Sequence, residues 1–253
     1  MNIVIPTYKR SHNLEGKLYF SGAKYVLPES QRDEYLKVLP EKRMIVIPDE
    51  ADGNIAKKRN WILQNIPRPL LMLDDDVRHL LYMEGRTREQ KRFISFIKLP
   101  KQRVNAVLNQ FTEVADGFGC KMWGVSQRTA GDEREYKEFR PFSLTNITLG
   151  PFQVHLDHDL LFDESMGSKD DYDMALQQMH RYRKLLRVEK MAYFCGHGDN
   201  AGGIVSMRTM EYEERYCKAI IEKWGSGVIR YKMPAEKMGD LLNGRVSVPI
   251  KGV

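Results

Sequence analysis

The chain has 253 residues, 42% of them hydrophobic and 29% charged, the balance of a folded globular protein rather than of a disordered or fibrous one. No run approaches the roughly 18 apolar residues of a membrane-spanning helix. Three widely spaced cysteines, Cys120, Cys195 and Cys217, suit reduced thiols better than a disulfide frame or a zinc site. The net charge of +6 favours an anionic partner without demanding one.

Met1-Asn2 leads directly into the strand-like run Ile3-Val4-Ile5, with no charged-then-apolar leader, so secretion is not expected. Pro6-Thr7-Tyr8-Lys9-Arg10 then reads as a loop. The plan repeats at Met44-Ile45-Val46-Ile47 before Pro48-Asp49, and again from Leu70 to Asp74. Residues 55–66 read as a helix, with Asn54 as N-cap and Pro67 beyond its end. Strand and crossover in alternation predict an α/β fold with a mostly parallel sheet and helices on both faces. A helix is expected over 104–115, with Val104, Val107, Leu108, Phe111 and Val114 on one face and Gly117 as its stop. Met122 to Ser126 reads as a strand, 142–155 as strand and turn, 171–186 as a helix, and about 207–224 as the last helix. We expect one domain over 1–253: a first half over 1–80, a basic insertion over 81–105 and a second half over 106–253.

Leu70-Leu71-Met72-Leu73 runs straight into Asp74-Asp75-Asp76. A short apolar run of this kind reads as a strand buried on both faces. Three carboxylates at its end are costly to bury unpaired, so they are expected in the crevice beyond the carboxyl ends of the strands, where α/β sheets bind ligands. In extended backbone Asp74 and Asp76 share a face, and such hard oxygen ligands suit Mg²⁺ or Mn²⁺ together with phosphate oxygens. The segment that follows carries Arg86, Arg88, Lys91, Arg92, Lys98, Lys101 and Arg103 with Phe93 and Phe96 interleaved. It reads either as a solvated surface or as a track for a phosphate backbone.

Taken together, these residues resemble the A-type glycosyltransferases, with a Rossmann-like domain that uses a nucleotide sugar and a divalent metal. The resemblance rests on the Pro6–Arg10 loop, the Arg59-Asn60 pair, Asp74-Asp75-Asp76, and the later acidic motif Lys169-Asp170-Asp171-Tyr172-Asp173. More narrowly, the compact length, Phe162-Asp163-Glu164 and Gly202-Gly203-Ile204 look like the phage TET-associated glycosyltransferases that modify hydroxymethylpyrimidines in DNA. That implies a UDP-sugar donor, duplex DNA as acceptor and a phage-encoded protein in a host cytoplasm.

The resemblance also implies roles. Asp76, Asp74 and the late His197 would hold the metal. Pro6, Thr7, Tyr8, Arg10, Asp49, Arg59, Asp74 and Asp75 would bind the nucleotide sugar, Arg59 as a fork on phosphate. Asp171 or Asp170 would take the acceptor's proton, although an aspartate at a helix start also serves as a cap. The basic segment would meet the acceptor; Trp123 reads either as an acceptor or sugar platform or as a core tryptophan on a strand, and the cluster His155-Leu156-Asp157-His158 reads as acceptor-side surface in preference to a separate metal site. Competing readings are a transferase for polysaccharide or protein, a nucleotidyltransferase, and a non-catalytic nucleic-acid-binding module. A nucleotidyltransferase would want a glycine-rich phosphate loop that Pro6-Thr7-Tyr8 does not supply.

Overall fold

The computed structural model describes residues 1–14, 16–83, 96–126, 141–195 and 208–248. Its elements, in chain order, are β1 (Asn2–Pro6), β2 (Lys24–Pro28), α1 (Arg32–Leu36), β3 (Met44–Ile47), α2 (Ile55–Asn65), β4 (Leu70–Leu73), β5 (Val77–Met83) and β6 (Phe96–Lys98). They continue with α3 (Val104–Gly117), β7 (Met122–Ser126), β8 (Phe142–Ser143), β9 (Phe152–His155), α4 (Asp170–Tyr182) and β10 (Leu186–Cys195), then α5 (Met210–Trp224), β11 (Ile229–Arg230), α6 (Met238–Leu242) and β12 (Arg245–Val246).

One sheet runs in the order β3-β2-β1-β4-β9-β7-β10-β5-β6, with β8 also paired to β10. The strands β1 to β4, β6, β7 and β10 point one way, and β5, β8 and β9 the other. The expected α/β class and mostly parallel sheet are therefore present. Successive residues of β4 serve opposite faces: Leu71 and Leu73 join a core with Trp123, Leu108 and Val104, while Leu70 and Met72 join one with Ala56 and Ile62 of α2 and Met174 and Met179 of α4. A strand buried on both sides needs no polar alternation, which is why its sequence is uniformly apolar. Both β1 and β4 end at the same rim of the sheet, because Ile3 is in register with Leu71.

The helix over 55–66 forms as Ile55–Asn65, and the Asn54 side chain caps it by accepting from the Lys57 N–H at 2.8 Å. Other expectations need correcting. A strand, β2, lies between the first two runs; it is only five residues long, and the preceding Ser and Gly residues mask its apolar centre. The helix expected to reach Leu186 stops at Tyr182, where Arg183 takes a left-handed conformation (φ 63°) and its N–H closes on the Met179 carbonyl. Leu186 instead opens β10, a strand invisible to a helical reading. Trp123 is fully buried in the core and its indole N–H donates to Thr112 at 3.0 Å, so it is no acceptor platform. Among the described residues no helix is long and apolar enough to cross a membrane, and the three cysteines are free.

The His155–His158 cluster is not a surface either. Both rings are buried, and His155 pairs in register with Leu70 and Met122, at the rim opposite Asp74. Leu160 N–H donates to His158 Nδ1 at 3.2 Å, so His158 carries its proton on Nε2 and donates to His155 Nδ1 at 2.9 Å. Burial, with Arg68 nearby, holds His158 down at about 4, and burial beside His158 holds His155 well below its ordinary value. The folded state therefore keeps the pair neutral while the unfolded chain binds protons below about pH 6.5. The pair costs nothing above that pH, and its penalty grows as the pH falls towards 4. Urea denaturation at pH 7 and pH 5 should show wild type losing on the order of 2 kcal/mol more than His158→Gln. Equal losses in the two proteins would refute this assignment.

Candidate active site

The three aspartates do not prolong β4. The strand ends at Leu73, the chain turns with Val77 N–H donating to the Asp74 carbonyl at 3.2 Å, and β5 begins at Val77. A turn fans consecutive side chains apart, and each carboxylate meets a different environment. The extended-backbone picture, in which Asp74 and Asp76 share a face, is replaced by this turn.

Asp75 points into the protein. It is buried, accepts from Thr7 Oγ1 at 2.8 Å and forms an ion pair with Arg10. Thr7 Oγ1 also lies 2.7 Å from Tyr35 OH, and the Arg10 N–H donates to that same phenol oxygen. Asp75 therefore ties the loop after β1 to the loop after β4. The roles proposed from sequence for Thr7, Arg10 and Asp75 as direct ligand contacts give way to this internal bracing.

Asp74 is one-third exposed, and its Oδ1 accepts from Arg59 Nη2 at 3.0 Å. The other fork of Arg59, Nη1, donates to Asp170 Oδ2 at 2.8 Å. Arg59 and Asp170 are both almost wholly buried. Burial works against the guanidinium's charge, but Asp170, Asp74 and Asp171 outweigh it and raise its pKa. Burial, with Asp171 and Asp74 adding to it, pushes Asp170 up to about 6 against the pull of Arg59. Arg59 is thus a bridge between two protein carboxylates and not an open phosphate fork. The next residue, Asn60, clamps the approach to α4: its side chain donates to Phe162 O at 2.9 Å and accepts from Phe162 N–H at 2.7 Å.

The acidic motif divides in three. Asp170 is committed to Arg59. Asp173 is fully buried and serves α5, accepting from Trp224 Nε1 at 2.7 Å and pairing with Lys223 at 2.8 Å. Asp171 is half-buried and makes no ion pair within 4 Å among the described residues, although its charge acts on Arg59; its Oδ2 accepts from Gly150 N–H at 2.9 Å and its Oδ1 from Tyr172 N–H at 2.8 Å. Gly150 is where a side chain would intrude, because a Cβ there would stand 3.0 Å from Arg59 Nη2 and 3.1 Å from Asp171 Oδ2. Asp76 keeps one buried oxygen, Oδ1, without a hydrogen-bond partner among the described residues. Burial, then Asp74 and Asp75, push it up to about 7. Burial raises Tyr193 of β10 well above its ordinary value, and Asp74, Asp171 and Asp76 add to that shift.

A family model for TET-associated glycosyltransferases matches residues 1–203. The chain belongs to that family. A search of the curated proteins found no match. Six chains among solved structures match. One, the crystal structure of S. aureus TarS 1–349, has a TM-score of 0.42 and 18% identity, covering 76% of this chain and 59% of that one. The transferase thus spans under two thirds of that chain. Helices α5 and α6 lie beyond the family match.

Two residues of the transferase's site escaped the sequence reading. Lys58 is buried; its Nζ donates to the Thr7 carbonyl at 2.6 Å and pairs with Asp52 at 2.5 Å. Tyr8 is 41% exposed, and the Lys9 and Lys58 ammonium groups lie 5.1 and 5.6 Å from its ring centre. The second missed residue is Gly150; its signal, Gly-Pro before a strand, reads only as a turn. Pro6 is buried at the end of β1, and exposed Asp49 accepts from Ser30 N–H at 3.0 Å. Lys98, Lys101 and Arg103 are exposed near the sheet edge, whereas Arg86, Arg88, Lys91, Arg92, His197 and 202–204 lie outside the described residues. Among those described, no group of three or more His, Cys, Asp or Glu residues is arranged to hold a metal ion.

Removing the bridge should expose its cost. Arg59→Met leaves Asp170 buried and facing Asp74 and Asp171 without a counter-charge, and should lower stability by about 3–5 kcal/mol in urea denaturation. Arg59→Lys, which keeps charge but loses the fork, should fall between the two. A methionine variant as stable as wild type would contradict the bridging role.

Proposed function

We propose that this transferase moves a hexose from a nucleoside diphosphate sugar, a UDP-sugar, to the hydroxyl of 5-hydroxymethylcytosine-type bases in DNA, with a divalent metal. The reading is carried by one observation: buried Arg59 ties Asp74 to Asp170, which brings together the two acidic segments that carry Asp76, whose Oδ1 has no hydrogen-bond partner among the described residues, and Asp171, which accepts only from backbone N–H groups among them. One carboxylate suits a cation, and the other suits a proton.

An orphaned carboxylate oxygen amid negative neighbours is a fitting place for Mg²⁺ or Mn²⁺. Asp76 and Asp74 would hold the ion, with His197 as a further candidate ligand. When bound, such an ion neutralises charge on the departing diphosphate. The protein's own residues supply the rest. Tyr8, exposed and flanked by two ammonium groups, offers its face to the nucleotide base. Asp49 lies at the end of β3, within the same rim, for the ribose. Thr7, Arg10, Asp75 and Lys58 keep these loops in place, so that the donor meets a preorganised rim.

In direct displacement the acceptor oxygen attacks the anomeric carbon as the bond to the diphosphate breaks, and the hydroxyl proton passes to Asp171. The two N–H donors from Gly150 and Tyr172 hold that carboxylate in one orientation. The outcome of such a single displacement is inversion. The hydroxymethyl group of a duplex base must leave the stack to reach this crevice, so an extruded nucleotide is the expected substrate form.

Slow hydrolysis of UDP-glucose should require added Mn²⁺ and disappear in Asp76→Ala. Asp171→Asn should retain donor-induced thermal stabilisation but lose transfer by about 10²–10⁴-fold, the range for removing a general base. Mass spectrometry should find the sugar on hydroxymethylated DNA and not on unmodified DNA. No thermal response to any nucleotide sugar with metal present, or labelling of glycans alone, would overturn the respective parts of this reading.

A further inference from the structure

A second concavity opens directly beside the aspartate turn. Leu18, Tyr19, Arg78, His79, Lys98 and Lys101 line a cleft of about 540 Å³. Its position follows from two backbone features. Gly16 packs on the turn so tightly that a Cβ would stand 2.4 Å from the Val77 carbonyl oxygen, which seats the 16–20 segment against the start of β5. Opposite β10, Val77 faces Cys195 and His79 faces Phe194, so Arg78 is the extra residue of a β-bulge. A bulge breaks the in-out alternation of a strand and re-aims its side chains. Here it brings consecutive residues, Arg78 and His79, to the same ring: the guanidinium lies 5.7 Å from the Phe194 ring centre, and the imidazole is stacked on it at 5.0 Å.

The cleft is cationic. Lys98 lies over the Tyr19 ring at 5.5 Å, and no carboxylate among the described residues pairs with Lys98 or Lys101. Burial, then Lys98 and Arg78, hold His79 below its ordinary value, as expected beside positive charge. Leu18 stands on the rim at 78% exposure, an apolar group beside a basic wall. Spaced cations and an exposed apolar side chain are among the means by which proteins hold a nucleic-acid strand. A free anion would use the cations alone.

We propose that this cleft is a phosphodiester-binding site for the acceptor strand, in which Arg78, Lys98 and Lys101 seat backbone phosphates next to the nucleotide being modified. The proposal rests on the DNA-acceptor reading above and adds to it a location and a set of residues. Arg78 comes two positions after Asp76, so a phosphate held here leaves its neighbouring nucleotide at the mouth of the crevice. Leu18 is placed to enter the gap left by an extruded base.

The test uses the full chain and a fluorescent duplex containing 5-hydroxymethylcytosine, with affinity read by anisotropy across a salt series. Lys98 and Lys101 are exposed, so the double variant K98Q/K101Q should fold, and its melting temperature checks that. Its affinity at low salt should fall at least tenfold, and the slope of log K against log salt should shrink by about 1.8, or 0.9 per lost phosphate contact. Arg78→Gln should weaken binding further than Arg78→Lys. Wild-type affinity and slope in all variants would overturn the cleft while leaving the DNA reading intact. Failure of wild type to bind any duplex at low salt would remove the DNA reading itself. Loss of UDP-sugar affinity in place of DNA affinity would assign the cleft to the donor. Thermal stabilisation by inorganic phosphate equal to that by duplex, at matched ionic strength, would make it a free-anion site. Either of these last two results would overturn the proposal.

Discussion

The Arg59 guanidinium, buried and forked between Asp74 and Asp170, is the constraint on which the rest of the site depends. It joins the turn after β4 to the first turn of α4, two segments far apart in sequence. Each carboxylate alone would be expensive to bury, and the guanidinium alone would be more so. Together they form a charged hinge pin whose planar, bidentate geometry sets the distance between the two segments. Asp171 follows Asp170 directly, and Asp76 follows Asp74 by two residues. The bridge therefore restrains Asp171 and Asp76 by immobilising Asp170 and Asp74 within two residues of them.

Around that pin, neighbouring residues split into supports and working groups. Asp75, Thr7, Arg10 and Tyr35 form one brace on the β1 side. Asp173, Lys223 and Trp224 form another, tying α4 to α5, and the buried pair of Lys169 and Glu213 adds a third. These braces are more numerous than the groups they hold. This is the expected balance where a carboxylate must keep one orientation against solvent and against its own kind. The C-terminal helices, beyond the extent of the family match, thus contribute to the site without entering it, because α5 grips the helix that carries Asp171.

The same turn also organises the approach to the site. The chain leaves Asp76 into β5 and bulges at Arg78, so a strongly acidic crevice passes into a basic cleft within two residues. A metal and a diphosphate suit the first, and a phosphate backbone suits the second. On the proposed reading, that abrupt change of sign would keep two anionic substrates from competing for the same positive charge.

Much of this was legible in the sequence. The apolar run Leu70–Leu73 marks a doubly buried strand and Asn54 marks a helix start, because each of these is a local consequence of backbone periodicity or capping. Strands β2 and β10 were not legible, since a short buried strand and a helix tail share the same apolar composition. Nor were the individual tasks of the aspartates. Asp74, Asp75 and Asp76 are identical in chemistry and adjacent in the chain, as nearly are Asp170, Asp171 and Asp173. Which are structural and which remain for catalysis depends on whether a guanidinium, an indole or an ammonium group reaches them. Arg59 is 111 residues from Asp170, and Trp224 is 51 from Asp173. The sequence by itself determined that carboxylates would crowd one rim of an α/β sheet. Only the tertiary structure decided which of them are neutralised, because electrostatic partnership acts through space and not along the chain.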